Sequence, residues 1–160
     1  MKSSKLVLGT VQFGCQYGIN SKGRPNTQMV SDILSEAFTG GITILDTSSA
    51  YGNAEEVLGE VAAAQKFQIM SKYPKSDKSV SETIDRTLKC LGCPKLYGYL
   101  LHHFSVYTEN KDVWNDFIHL KAEGKVEKIG FSLYEPHELD LILEDGVPFD
   151  LIQIPFNIFD

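Results

Sequence analysis

Residues 42–53 read Ile-Thr-Ile-Leu-Asp-Thr-Ser-Ser-Ala-Tyr-Gly-Asn. The stretch opens apolar and β-branched, so Ile42, Ile44 and Leu45 form a buried strand. The strand ends in an acid, Asp46. Farther on, Tyr51 precedes a glycine, and Asn53 stands as the N-cap of a helix. Glu55 and Glu56 fall in that helix's first turn, where the positive end of the helix dipole favours carboxylates. Asp46 and Tyr51 thus share one strand-to-helix loop, the part of an α/β enzyme that carries its chemistry.

The same alternation extends in both directions. Upstream, residues 5–13 read as a strand and 14–26 as a Gly/Asn/Pro loop. Val30, Ile33, Leu34, Ala37 and Phe38 repeat at helical spacing until Gly40-Gly41 stops them. Downstream, a helix carries Val57, Leu58 and Val61, and residues 67–72 form a third strand. Ser79 and Glu82 make a capping box for a helix through Ile84, Leu88 and Leu91, closed by Gly92. Residues 96–101 form a fourth strand running into His102-His103. A helix with Val113, Phe117 and Leu120 ends at Gly124, and residues 126–133 form a fifth strand. Pro136 opens a helix with Leu139, Ile142 and Leu143, closed by Gly146, before a sixth strand over 149–156.

Strand and helix alternating in this way imply right-handed βαβ units and a parallel sheet. A barrel and an open doubly wound sheet both satisfy the pattern. Polar placement separates them. Asp46, Lys72, His102, Ser132 and Gln153 lie at or near the C-terminal ends of successive strands. A barrel gathers such ends around one mouth, whereas an open sheet spreads them along an edge. The expectation is a TIM-barrel type of (β/α) repeat, α/β in class, with about six of eight strands present.

The 160 residues suit a single domain, 1–160, with 42% hydrophobic and 22% charged residues. A net charge of −6 without any Lys/Arg run argues against a nucleic-acid partner. No run is long and apolar enough for a membrane span, and residues 1–4 lack a signal-peptide core. A cytoplasmic protein is expected. Cys15, Cys90 and Cys93 are odd in number, which suits reduced thiols. The Cys90–Cys93 pair has no second ligand pair at similar spacing, so no metal site is expected. His119 and His137 read as surface residues. His102 and His103, adjacent on strand-like sequence, should point to opposite sides.

Asp46-x-x-x-x-Tyr51-Gly52 at a strand end closely resembles the aldo-keto reductases, NAD(P)H-dependent (β/α)8-barrel enzymes. The Tyr51–Gly59 segment matches that family's Y-G-x-x-E-x-x-L-G helix start. Ile129-Gly130-Phe131-Ser132 resembles its I-G-[VF]-S, and Gln153-Ile154-Pro155-Phe156-Asn157 its Q-x-P-x-N. The resemblance implies a catalytic tetrad of Asp46, Tyr51, Lys72 and His102, with His103 as the alternative imidazole. Tyr51 would protonate a carbonyl oxygen, Lys72 would lower the phenol's pKa, Asp46 would anchor Lys72, and His102 would orient the substrate. It implies NADPH as cofactor, with NADH also possible, contacted by Asp46, Ser132 and Gln153. It also implies a small-molecule aldehyde or ketone as substrate. Leu133 stands where most relatives place an asparagine, which removes one carboxamide contact. No G-x-G-x-x-G follows the first strand, so a Rossmann site is not indicated. Six strands where the family has eight suggest a C-terminally truncated chain. The alternative to an active reductase is an inactive partial barrel that self-associates through exposed sheet edges, a homo-oligomer serving assembly.

Overall fold

The computed structural model describes residues 4–19 and 23–157; the leader reading over residues 1–3, the loop residues 20–22 and the last three residues lie outside these. Six strands form one parallel sheet: β1 (Leu8–Gly9), β2 (Ile44–Asp46), β3 (Gln68–Tyr73), β4 (Leu96–Leu101), β5 (Val126–Ser132) and β6 (Leu151–Gln153). Their spatial order is β1-β2-β3-β4-β5-β6, so every crossover steps one place in the same direction. A doubly wound sheet would reverse at a switch point. The unbroken order is that of a curled half-barrel. The register Gly9↔Asp46↔Met70↔Gly98 sets the C-terminal ends of neighbouring strands side by side.

The helices are α1 (Val11–Gly14), α2 (Thr27–Thr39), α3 (Ala54–Glu60), α4 (Val80–Leu91), α5 (Phe104–Glu109), α6 (Val113–Ala122) and α7 (Pro136–Glu144), with a 3-10 turn at Ala63–Gln65. Leu45, Ile69, Tyr99, Leu101, Ile129 and Phe131 pack outward against Leu34, Leu58, Ile84, Phe117 and Ile142 as one core. Trp114 stacks on Phe131 at 4.0 Å and on Phe117 at 5.1 Å, while its indole N–H donates to the Pro148 carbonyl at 3.0 Å. Each such aromatic contributes about 2 kcal/mol by burial alone. The inner face is left open. Val7, Ile44, Met70, Leu100 and Leu151 line a hollow of about 380 Å³ there.

Four strands are shorter than their sequences suggest: β2 starts at Ile44 and not Ile42, β5 stops at Ser132 and not Leu133, and the first and sixth differ most. The first was expected to run through Phe13, yet it ends at Gly9. The Thr10 amide donates to the Asp46 carbonyl at 3.0 Å as the last bond of the ladder, its hydroxyl donates to the same oxygen at 3.0 Å, and the chain then turns into α1. The sixth pairs only over Leu151–Gln153, between Pro148 and Pro155, which have no amide to donate. Asn53 occupies the N-cap position of α3 but makes no side-chain cap; its carboxamide oxygen accepts instead from Arg24. Ser79 and Glu82 form the expected capping box, and Gly92 closes α4 in the left-handed region at φ 63°.

Candidate active site

Five strand ends and one loop supply the site. Asp46 is the last residue of β2, Lys72 lies near the end of β3, Ser132 ends β5 and Gln153 ends β6. His102 follows β4 directly, its amide donating to the Tyr73 carbonyl at 2.9 Å. Tyr51 comes from the β2–α3 loop. Tyr51, Lys72, His102, Ser132 and Gln153 line one cavity of about 250 Å³, together with Leu133 and Tyr134. Asp46 lies behind Lys72 and not on the cavity wall.

Lys72 is the hub. Its side chain is 2% exposed, and its Nζ lies 2.6 and 2.7 Å from the two Asp46 carboxylate oxygens. Nζ also lies 3.2 Å from the Thr47 carbonyl and 3.3 Å from the Tyr51 hydroxyl. An ammonium has three protons, and these three directions use them all. The Tyr51 oxygen therefore accepts from Lys72, which leaves its own proton free to point elsewhere. The lysine pKa is lowered by burial, with Asp46 opposing the shift.

Tyr51 is pushed up to about 12, first by burial and then by the Asp46 carboxylate. This is opposite to the lowering expected from the ammonium. Lys72 and Asp46 arrive as a nearly neutral pair, so desolvation of the phenolate outweighs Lys72. The phenol is a held proton at neutral pH. His102 is pulled down to about 4 by burial, then by His103 and Lys72, so its ring is neutral.

His102 and His103 do not point to opposite sides. β4 ends at Leu101, strand alternation no longer applies, and the two rings stack 4.6 Å apart. His102 is buried and lines the cavity, whereas His103 is exposed. His119 and His137 are exposed too. Among the described residues no cluster of three or more metal-ligating side chains occurs, and the three cysteines are free thiols.

Gln153 bears on the fit of a nicotinamide. Its Oε1 is buried without a hydrogen-bond partner, and the residue itself lines the cavity. An orphaned acceptor of this kind suits an amide N–H of a carboxamide. Leu133 offers no polar group beside it; its side chain is 2% exposed and packs into the core.

Three features of the site escaped the sequence. Ser48 is buried with its Oγ 3.1 Å from His102 Nδ1. Glu55, read as a carboxylate in the first turn of α3, is also buried and accepts from Ser71 at 2.7 Å and Thr87 at 3.0 Å. Gly14 packs against the Tyr51 loop so closely that an added Cβ would lie 1.8 Å from the Tyr51 carbonyl. Ser48 stands in the stretch that decided the fold, but a serine in a loop carries no sign of which way it faces.

The fold and this constellation define the framework of a (β/α) barrel with a polar cluster gathered at its strand ends. The profile of the Aldo/keto reductase family matches residues 5–160, and the chain belongs to that family. Among curated relatives, methylglyoxal reductase DkgA of Salmonella typhimurium is 29% identical over 149 residues, covering 89% of this chain and 54% of that protein. The NAD/NADP-dependent indole-3-acetaldehyde reductase of Schizosaccharomyces pombe is 28% identical over 131 residues, covering 77% of this chain and 46% of that one. Among solved structures, PA4992 of Pseudomonas aeruginosa, named as an aldo-keto reductase, superposes with a TM-score of 0.83 at 27% identity, covering 99% of this chain and 65% of that one. The chain spans about half the length of the curated relatives it matches. Among the described residues, no helix is long and apolar enough to cross a membrane.

Proposed function

We propose that this chain carries the catalytic half of an NAD(P)H-dependent carbonyl reductase, converting a small aldehyde or ketone to an alcohol with Tyr51 as proton donor. One observation carries the reading: Tyr51, Lys72 and His102 arrive from separate βα connections at one cavity, with Asp46 locked onto Lys72. When bound, the nicotinamide supplies a hydride to the carbonyl carbon. Tyr51 holds the proton that the developing alkoxide needs. Lys72 donates to the phenol oxygen, so it stabilises the phenolate left behind once that proton has gone. Asp46 keeps the ammonium charged and aimed. His102 presents a neutral ring to the carbonyl oxygen, a positioned donor of a type worth about two to four orders of magnitude. Ser132 and the unpartnered Gln153 oxygen would hold the carboxamide.

Two relatives' names, methylglyoxal reductase and indole-3-acetaldehyde reductase, support aldehydes as the substrate class, and the second supports both NAD and NADP as cofactors. The test is turnover of methylglyoxal and of an aromatic aldehyde, followed by loss of nicotinamide absorbance, with the alcohol identified. Saturable, aldehyde-dependent turnover is expected with NADPH or NADH. No turnover and no cofactor binding at millimolar concentration would favour the second reading, an inactive half-barrel that associates through its open apolar face.

A further inference from the structure

We propose that Ser48 is a positioning residue that fixes the tautomer of His102, its hydroxyl donating to Nδ1 so that the ring turns Nε2–H toward the cavity. The inference deepens the reductase reading and rests on it for the identity of the group that meets Nε2.

The argument is proton bookkeeping around one buried hydroxyl. Ser48 is 1% exposed. Its Oγ accepts from the Ala50 amide at 3.1 Å, a short local turn that pins the side chain within its loop. The hydroxyl has one proton left to place, and two acceptors lie within reach. His102 Nδ1 is 3.1 Å away, and the Lys72 carbonyl is 3.5 Å away. The second distance is at the limit for a hydroxyl hydrogen bond, and Ser49 Oγ reaches the same carbonyl at 3.4 Å. The reverse arrangement, Nδ1–H donating to Oγ, would leave the hydroxyl proton only that distant, shared carbonyl, so the distances assign the hydroxyl proton to a bond with Nδ1.

A neutral imidazole carries a single N–H, so accepting at Nδ1 puts it on Nε2. Burial and the neighbouring Lys72 ammonium keep the ring neutral, which makes the tautomer decisive. The opposite tautomer would aim a lone pair at the oxygen that has to gain negative charge. Ser48 thus decides whether His102 attracts or repels that oxygen.

The test is a long-range proton–nitrogen correlation spectrum of the full chain with labelled histidine, His102 being assigned by its loss in His102→Asn. At neutral pH the wild type should show a pyridine-like Nδ1 and a protonated Nε2. Ser48→Ala should move both nitrogens toward tautomer averaging and lower kcat for aldehyde at least about tenfold, with cofactor affinity little changed. Ser48→Thr, which keeps the hydroxyl, should restore the wild-type nitrogen pattern. A protonated Nδ1 in the wild type overturns the proposal, whether or not Ser48→Ala folds. So does a Ser48→Ala spectrum identical to the wild type. If the spectra behave as expected but no aldehyde is reduced, the reductase reading fails and the Ser48–His102 pairing stands.

Discussion

At the scale of single residues, the Lys72–Asp46 pair governs the site, because it sets both the charge and the direction of everything near Tyr51. A nearly inaccessible ammonium is tolerable only with its counter-charge in contact. Asp46→Asn should therefore destabilise the chain by about 3 kcal/mol in urea denaturation at neutral pH. The double variant Asp46→Asn/Lys72→Met should recover most of that loss, since no buried charge then remains; equal losses in both would contradict the pairing. Glu55 gives the converse case. It is buried with no cation among its hydrogen-bond partners, and burial raises its pKa above the ordinary carboxyl value despite hydrogen bonds from Ser71 and Thr87 and the nearby Arg86. A carboxyl raised in the folded state binds its proton more tightly there, so its contribution is present at low pH and is lost as pH rises through the folded value. Glu55→Gln should gain stability relative to wild type as pH is raised above the ordinary carboxyl range, with no such trend below it, as read by urea denaturation across pH. Asp46, Lys72 and His102 stand out in the chain as polar residues at strand ends, whereas Tyr51, inside the β2–α3 loop, was marked by the family resemblance. Glu55 does not stand out, since burial of an acid at a helix start depends on Ser71 and Thr87, far along the chain.

At the scale of elements, the site's precision depends on how α1 meets the β2–α3 loop. Gly14 and Gly52 lie back to back: a Cβ on Gly14 would meet the Tyr51 carbonyl, and one on Gly52, at φ +60°, would lie 2.4 Å from the Gly14 carbonyl. Gly14→Ala should displace the Tyr51 loop and cut aldehyde turnover by about 100-fold, the scale of loss from a one-ångström misplacement. Unchanged kinetics in a folded variant would show that this contact does not position the tyrosine. The elements were legible where a periodic run carries its own stop signal, as in α4 between the Ser79–Glu82 box and Gly92. They were misread where a long-range partner ended them. Thr10 to Phe13 has strand-like residues, but the Asp46 carbonyl captures Thr10 and a helical turn follows. Helix α5 was missed because only Phe104 and Tyr107 mark its buried side.

At the scale of the molecule, six strands in sequential order leave an apolar concave face and two strands, β1 and β6, each paired on one side among the described residues. Val7 is 44% and Ile154 58% exposed there. Unpaired apolar edges recruit partners, so light scattering should show mass rising with concentration. Val7→Lys, which places a charge beside the hollow, should lower it; a monomer at every concentration would contradict this. The parallel sheet was readable from alternation. Its curl was readable only from the polar strand ends, because periodicity is the same in open and closed sheets. The central claim is that Tyr51 hands a proton to a reduced carbonyl inside the cavity it shares with Lys72 and His102. Its most direct test is kcat for aldehyde-dependent NADPH oxidation by the wild type and by Tyr51→Phe, which removes one oxygen and keeps the ring. The account predicts a fall of at least about 100-fold with cofactor binding retained; equal rates in the two chains would contradict it.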